Sequence, residues 1–416
     1  MTVNRRNLMT LLAAAGAGSA AGYMPTAFAQ GEPIRLGLLT IRTGPLASGG
    51  LDVERGLNMY LRERNYMLAG RKVELIAADT AGVPATALSK TQELVERNKV
   101  HVLTGPLAAF EALAMDDYIR QRQIPTLWVP GADDMTQRKQ NQWAVRATAT
   151  SSQCSHPMGD YCARVMKYKR MAVIADDIAF GHETVGGFQR VFEEGGGKVV
   201  QRLFSPLSVP DYSSYLAQLK TDVDAIFIGF AGSNGFRFVR QFNEYGMIGK
   251  IAVVGNMTAL EESVLRNMGD EALGIATACW YSAELDNPLN LKFAAAFRAE
   301  TKYDPGLYAA MGYVNGAVLE AALVATKGQI EDKQTFMKAL RGVKVDTVRG
   351  PVAFDPYGDV VGNVYIRKVT RKEGRLVNSV IQTYPDVSQF WKYDPAVYLK
   401  QPVYTRDYPP SKYLES

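Results

Sequence analysis

The side chains in this chain that could do covalent chemistry are few and scattered. Three histidines, His101, His156 and His182, and three cysteines, Cys154, Cys162 and Cys279, are its whole stock of imidazole and thiol. A hydrolytic triad needs a nucleophile, a base and an orienting acid within reach of one another. No GxSxG, HExxH or CxxC pattern occurs. His101 is expected to begin a buried strand, and His156 and His182 to start helices at the surface. The adjacent acids Asp176 and Asp177 could do acid–base work, but at a strand end the plainer reading is a cap beside a solvated neighbour. Cys154 and Cys162 lie eight residues apart, about 12 Å along a helix. They could bond only if Cys154 precedes that helix; the alternative is buried free thiols. Their spacing is wrong for a metal. These residues argue against an enzyme, and no cofactor is expected.

Small glycine- and hydroxyl-bearing loops are the other candidates. They are "TIRTGPLASGG" (40–50), "TGPLAAFEALA" (104–114), "VPGADDM" (129–135) and "GFAGSNG" (229–235). The first lacks GxGxxG and the Gly-Lys-Ser/Thr end of a phosphate loop, so a nucleotide is not expected there. Gly44, Gly49 and Gly50 keep side chains away, while Thr43 and Ser48 can donate hydrogen bonds. Beside a helix N-terminus such a loop suits a carboxylate.

The elements that hold these loops alternate. Apolar runs at 34–39, 73–78, 100–104 and 125–129 read as strands, with helical periodicity over 51–67 and 84–98 between them. The alternation restarts with strands at 170–175, 198–204, 224–229, 251–254 and 274–280. Helices are predicted at 181–194, 211–220, 233–245, 258–267, 288–302 and 305–326. Strand-then-helix order argues for parallel sheets covered on both faces, and 416 residues are enough for two such lobes. Folded structure is expected to end near "GPVAFDPYGD" and "VGNVYIRKV". From 384 to 416 the chain is rich in Tyr, Pro and Trp, and reads as a strap packed across the lobes.

Arg5 and Arg6, the run "LMTLLAAAGAGSAAG" and Ala27-Phe28-Ala29 have the layout of a secretory signal peptide over 1–29. "NRRNLMT" is similar to a twin-arginine signal, and an ordinary Sec route stays open. No later run is read as long and apolar enough to span a membrane. The formal charge of +5 falls to +3 without the two leader arginines. It is not gathered into any Lys/Arg run, so nucleic acid is not an expected partner.

Seven stretches in order resemble the type I periplasmic solute-binding proteins of the branched-chain amino-acid transporter group. They include "IRLGLLTIRTGPLASGG", "GRKVELIAADTAGVPATALSKTQELVERNKVHVLTGP", "MAVIADDIAFGHETVGGF", "VDAIFIGFAGSNGFRFVRQFNEYG" and "GPVAFDPYGD". The resemblance implies an α/β fold of two lobes, each a mainly parallel sheet flanked by helices, joined by three crossover strands. Lobe one would combine 31–147 with 282–349, and lobe two 148–281 with 350–383. A ligand would bind between them, the hinge would close, and the closed monomer would meet an ABC permease in the inner membrane.

The resemblance also implies a site, and the sequence departs from the family there. Where amino-acid-binding relatives carry serines that hold the α-carboxylate, this chain has Ala108, Ala109 and Phe110, after Leu107. Backbone N–H groups remain there, and at Pro130-Gly131-Ala132. Where those relatives place the carboxylate that meets the ligand ammonium, the chain has Met257, with Asn256 before it also a candidate lining residue. Phe180 stands where relatives carry tyrosine. Phe230 and Ala231 end a strand, Trp280 lies at a crossover, and Tyr308 opens a helix that faces the cleft in the family. Phe110 reads equally as a ring for the ligand or as helix packing. Arg42 reads equally as the partner of a ligand anion, with Thr43 beside it, or as a solvated loop residue. Asp133 and Asp134 read as helix caps; turned inward, either would restore an ammonium site. The expected ligand is an apolar, aromatic carboxylate. A hydrophobic amino-acid carrier and a sensor of the same fold are the alternatives.

Overall fold

The computed structural model describes residues 31–415 apart from Pro45; the leader expected over 1–29 lies outside them. The strands of the first sheet are β1 (Ile34–Thr40), β2 (Met67–Leu68), β3 (Arg71–Asp79), β4 (Val102–Thr104), β5 (Thr126–Trp128) and β6 (Ala144–Arg146), in the order β2-β3-β1-β4-β5-β6. All pairs but β2–β3 are parallel. The second sheet holds β7 (Arg170–Asp176), β8 (Lys198–Ser205), β9 (Ala225–Gly229), β10 (Ala252–Gly255), β11 (Ala276–Cys279), β12 (Lys344–Thr347), β13 (Gly350–Phe354), β14 (Val360–Lys372) and β15 (Arg375–Val387). Its order is β12-β13-β14-β11-β10-β9-β7-β8, with β15 on β14. The strand β9, "AIFIG", is buried along its whole length, as a parallel strand covered on both faces must be.

Helices α1 (Ala47–Arg62), α2 (Pro84–Gln92) and α3 (Ala109–Arg122) flank the first sheet, and α4 (Ser151–Asp160), α5 (Ala179–Glu194), α6 (Ser213–Gln218), α7 (Asn234–Glu244) and α8 (Glu262–Leu265) the second. The chain then returns through α9 (Pro288–Thr301), α10 (Leu307–Ala325) and α11 (Lys333–Arg341). By length and composition α10 could cross a membrane, which corrects the reading that no later run could. It is a core helix instead. It crosses α1 so closely that a Cβ on Gly56 would stand 1.9 Å from the Ala309 carbonyl oxygen, and one on Gly312 2.0 Å from that of Val53.

Two boundaries differ from the sequence division. β12 pairs antiparallel with β13, so it joins the second sheet although it was expected at the end of lobe one. β15 runs on β14 past residue 384, because a long antiparallel hairpin carries the apolar face of β14 outward. Three chain passages between the sheets meet at Arg349. Its guanidinium donates to the carbonyls of Ala147 (2.8 Å) and Thr148 and lies 4.6 Å from the Trp280 ring. The fully buried Arg146–Asp359 pair (2.6 Å) braces the same region.

Beyond β15 the strap packs on α4 and α5 through Tyr393, Tyr398 and Tyr404, with Phe390 set between Tyr357 and Tyr398. His156 is wholly buried under it, with Nε2 3.3 Å from the Tyr404 hydroxyl. The expectation of a surface histidine is therefore corrected: the strap covers that face of α4. Cys154 and Cys162 are buried free thiols, and Cys154 lies within α4, not ahead of it.

Candidate functional site

A cavity of about 290 Å³ lies between the two sheets. It forms where strands of both sheets end, the place where open α/β sheets take ligands. Leu107–Phe110 follow β4, and Val129–Gly131 follow β5. From the second sheet come Ile178–Phe180 after β7, Ala231 after β9, and Met257 with Thr258 after β10. Tyr308 and Met311 reach in from the first turns of α10, and Leu46 from the loop ahead of α1. A larger groove, about 370 Å³, lies at the opposite ends of β10 and β11, with Lys250 and Lys368 on its rim.

The residues anticipated for the site divide between cavity and surroundings. Leu107, Ala108, Ala109, Phe110, Pro130, Gly131, Phe180, Ala231, Met257 and Tyr308 line the cavity. Arg42 does not: its Nε and Nη2 grip Glu54 at 2.8 and 2.6 Å beside a separate surface groove. Thr43 Oγ1 donates to Asp79 Oδ2 at 3.3 Å. Ala132 is buried, with its carbonyl accepting from Arg146 at 2.7 Å. Phe230 packs in the lobe core against Tyr212 and Phe238. The Asn256 amide oxygen accepts from the Ala259 N–H at 3.0 Å, closing the turn after β10. Trp280 lies beneath Arg349. The pull on each is local: a nearer partner claims it.

Leu46, Leu113, Val129, Ile178, Ala179, Thr258 and Met311 also line the cavity and were not anticipated. Helical spacing could have found two of them, since Leu113 and Met311 each stand three residues after a lining ring. Gly49 and Gly50 serve close packing, while Gly44 takes a left-handed turn with φ +86° and open space around it. A Cβ on Gly50 would lie 1.9 Å from the Ile41 carbonyl oxygen, and one on Gly49 3.1 Å from the Tyr308 ring.

The electrostatics of the cavity come from backbone. Ala108 and Ile178 occupy the N-cap positions of α3 and α5. Neither has a side-chain oxygen to accept the first-turn N–H groups, and in α3 the buried Glu111 of the first turn accepts the Ala108 N–H at 3.2 Å. Two helix N-termini, one from each sheet, therefore present positive dipole ends at the same space. Among the described lining residues there is no Asp, Glu, Lys, Arg or His.

Acids nearby are turned elsewhere. Asp176 accepts from the Ala231 N–H (2.8 Å) and Asn234 (2.6 Å), and burial lifts its pKa to about 7. Burial and neighbouring Glu262 push Glu261 to about 8. Asp133 Oδ1 accepts from the Ser152 N–H at 3.1 Å, and Asp134 pairs with Arg138 at 3.2 Å. Neither faces the cavity, and no lining carboxylate is there to meet an ammonium.

Residues 33–375 match the sequence profile of the periplasmic binding proteins. The chain belongs to that family, in its type I, Leu/Ile/Val-binding branch. A Leu/Ile/Val-binding protein homologue of Brucella abortus is 26% identical over 368 residues, covering 86% of this chain and 93% of its own. A solute-binding protein of an ABC transporter from Rhodopseudomonas palustris, solved with 3,4-dihydroxybenzoic acid, superposes with a TM-score of 0.82 at 32% identity, covering 86% of this chain and 98% of that one. A second R. palustris protein, solved with benzoate, gives 0.79 at 26% identity, over 85% and 98%. The periplasmic binding proteins are solute carriers that serve ABC importers, and this chain shares their two-lobed mixed α/β architecture.

Proposed function

We propose that this binding protein captures a small aromatic carboxylate between its lobes and delivers it to a membrane permease. The observation that carries the reading is the cavity itself: apolar walls, two helix N-termini whose N-cap residues bear no side-chain acceptor, and no acid among the described lining residues. Its volume of about 290 Å³ is nearly twice the roughly 150 Å³ that houses benzene in an engineered cavity, which leaves space for substituents on one ring. Burying a ring of about 150 Å² contributes roughly 4 kcal/mol. Two or three N–H bonds to a carboxylate add about 1.5–3 kcal/mol each. Micromolar capture needs about 8 kcal/mol, so no ammonium contact is required. The aromatic acids bound by the R. palustris proteins point the same way.

The carrier is proposed to work as a monomer in the periplasm, exported by the leader over 1–29 through the twin-arginine or the Sec route. The second reading, a hydrophobic amino-acid carrier, is favoured by the Leu/Ile/Val-binding relatives. Thermal-shift titration of the 31–416 chain separates the two. Benzoates at 100-fold over Kd should stabilise by about 2.7 kcal/mol, seen as a Tm rise of several degrees. A rise with leucine, isoleucine, valine or phenylalanine and none with benzoates would reject the aromatic reading.

A further inference from the structure

The cavity has one side-chain hydrogen-bonding group without a partner. Only Thr258 and Tyr308 among its described lining residues carry a side-chain oxygen. Thr258 Oγ1 is occupied: it donates to the Phe230 carbonyl at 2.6 Å and receives the Asn256 amide at 3.1 Å. The Tyr308 hydroxyl is not. No hydrogen bond acts on it; the groups that do, Glu261, Cys279 and Asp176, act through charge. The residue is only 8% exposed, and its ring is held against the Gly49 backbone. A ligand that covers this hydroxyl with hydrocarbon would leave a buried phenol unpaired, which is a penalty against that ligand.

We propose that Tyr308 is the specificity-determining residue of the cavity, selecting aromatic acids that carry an oxygen substituent on the ring over those that carry hydrocarbon there. The proposal rests on the aromatic-carboxylate reading above. The ligand's own carboxylate is the poorer partner for this phenol. Glu261 and Asp176 both act on it, and a third carboxylate there is opposed by like charge once these acids ionise, as pH reaches about 7 for Asp176 and about 8 for Glu261. A neutral hydroxyl meets no such repulsion and can both donate and accept. The helix N-termini of α3 and α5 are left for the anion. A site built around a buried hydrogen bond rejects the analogue that lacks it more strongly than an apolar wall rejects an extra group.

The test is calorimetric titration of the wild-type 31–416 chain and of Tyr308→Phe with benzoate, the three monohydroxybenzoates and the matching methylbenzoates. In the wild type, at least one hydroxybenzoate should bind tenfold or more tightly than benzoate and than its methyl counterpart. In Tyr308→Phe that preference should fall to within about twofold, through weaker hydroxybenzoate binding and tighter binding of the methyl counterpart, which no longer covers an unpaired phenol. Equal affinity for all benzoates in the wild type would overturn the proposal and leave the aromatic reading standing. So would a hydroxyl preference that survives in Tyr308→Phe, or an equal loss for benzoate, which would put the phenol on the carboxylate. If no benzoate binds the wild type, the aromatic reading falls and this proposal with it. The wild-type hydroxyl-against-methyl comparison decides the matter even if the variant does not fold.

Discussion

The Asp133 backbone N–H donates to Glu183 Oε1 at 3.2 Å, and this contact joins the loop after β5 of the first sheet to α5 beside the second. Both side chains are buried, and each has an oxygen without a partner. Burial raises the pKa of both carboxyls, and the charge of Asp133 raises that of Glu183 further, against a smaller opposing pull from Arg146. A carboxyl with a higher pKa in the folded protein than in the unfolded chain contributes stability at low pH and loses it as pH climbs through the folded value. The lobe contact should therefore weaken as pH rises above the ordinary carboxylate range, near 4. Glu183→Gln keeps the shape and stays neutral. Its Tm should match the wild type near pH 4 and exceed it increasingly towards pH 8. Parallel Tm curves over that range would refute the linkage.

Met257 is 4% exposed and stands on the cavity wall after β10. Met257→Glu would place an acid against the ligand's anion, and the buried Arg367 that reaches the Met257 carbonyl at 3.4 Å already faces Glu262 at 3.6 Å. A loss of aromatic-acid affinity of about 30-fold is expected, the equivalent of roughly 2 kcal/mol. Calorimetry reads it directly. Unchanged affinity would put Met257 outside the ligand's reach.

Much of this was legible because strand ends follow from periodicity. Periodicity locates the strand ends, and the family resemblance says which of them face the cleft. On that footing Leu107–Phe110, Pro130-Gly131, Phe180, Ala231 and Met257, with Tyr308 at the start of α10, are expected there, and these line the cavity. Side-chain direction was not legible. Phe230 and Ala231 are neighbours in sequence, yet Phe230 enters the lobe core and Ala231 lines the cavity, because successive residues at a strand end face opposite ways. Long-range partners were hidden too. Nothing local in the sequence pairs Arg349 with Ala147 and Trp280, or buries His156 beneath residues some 240 positions later. β15 was missed because its polar residues, exposed on the outer face, mask its alternation.

Arg42 provides a control. Its side chain is 37% exposed and bound to Glu54, and the same acid raises its pKa. Arg42→Ala should leave ligand affinity within about twofold and cost no more than ~1 kcal/mol of stability, the usual range for an exposed ion pair. A tenfold loss of affinity would return Arg42 to the site.

The strap yields the last prediction. Tyr404 is 6% exposed, meets His156 through its hydroxyl and packs edge-on to Tyr398 at 6.3 Å. Its ring fills the space above Gly186, where even a Cβ would lie 2.7 Å from it. Arg190 lies 3.6 Å from the Tyr393 ring alongside, and Arg138 and Arg202 donate to the strap carbonyls of Gln401 (2.6 Å) and Pro409 (3.1 Å), so the strap is docked by rings and several cations together. Burial holds His156 neutral, with its pKa lowered to about 3. Tyr404→Ala removes the ring that keeps water from that imidazole. It should cost about 3–5 kcal/mol, as large-to-small changes of a buried aromatic do, and raise the His156 pKa towards 6.5. Histidine NMR titration, run beside a melting curve, reads both effects. A Tm near wild type with His156 still untitrated at pH 5 would mean that the strap is held without this ring.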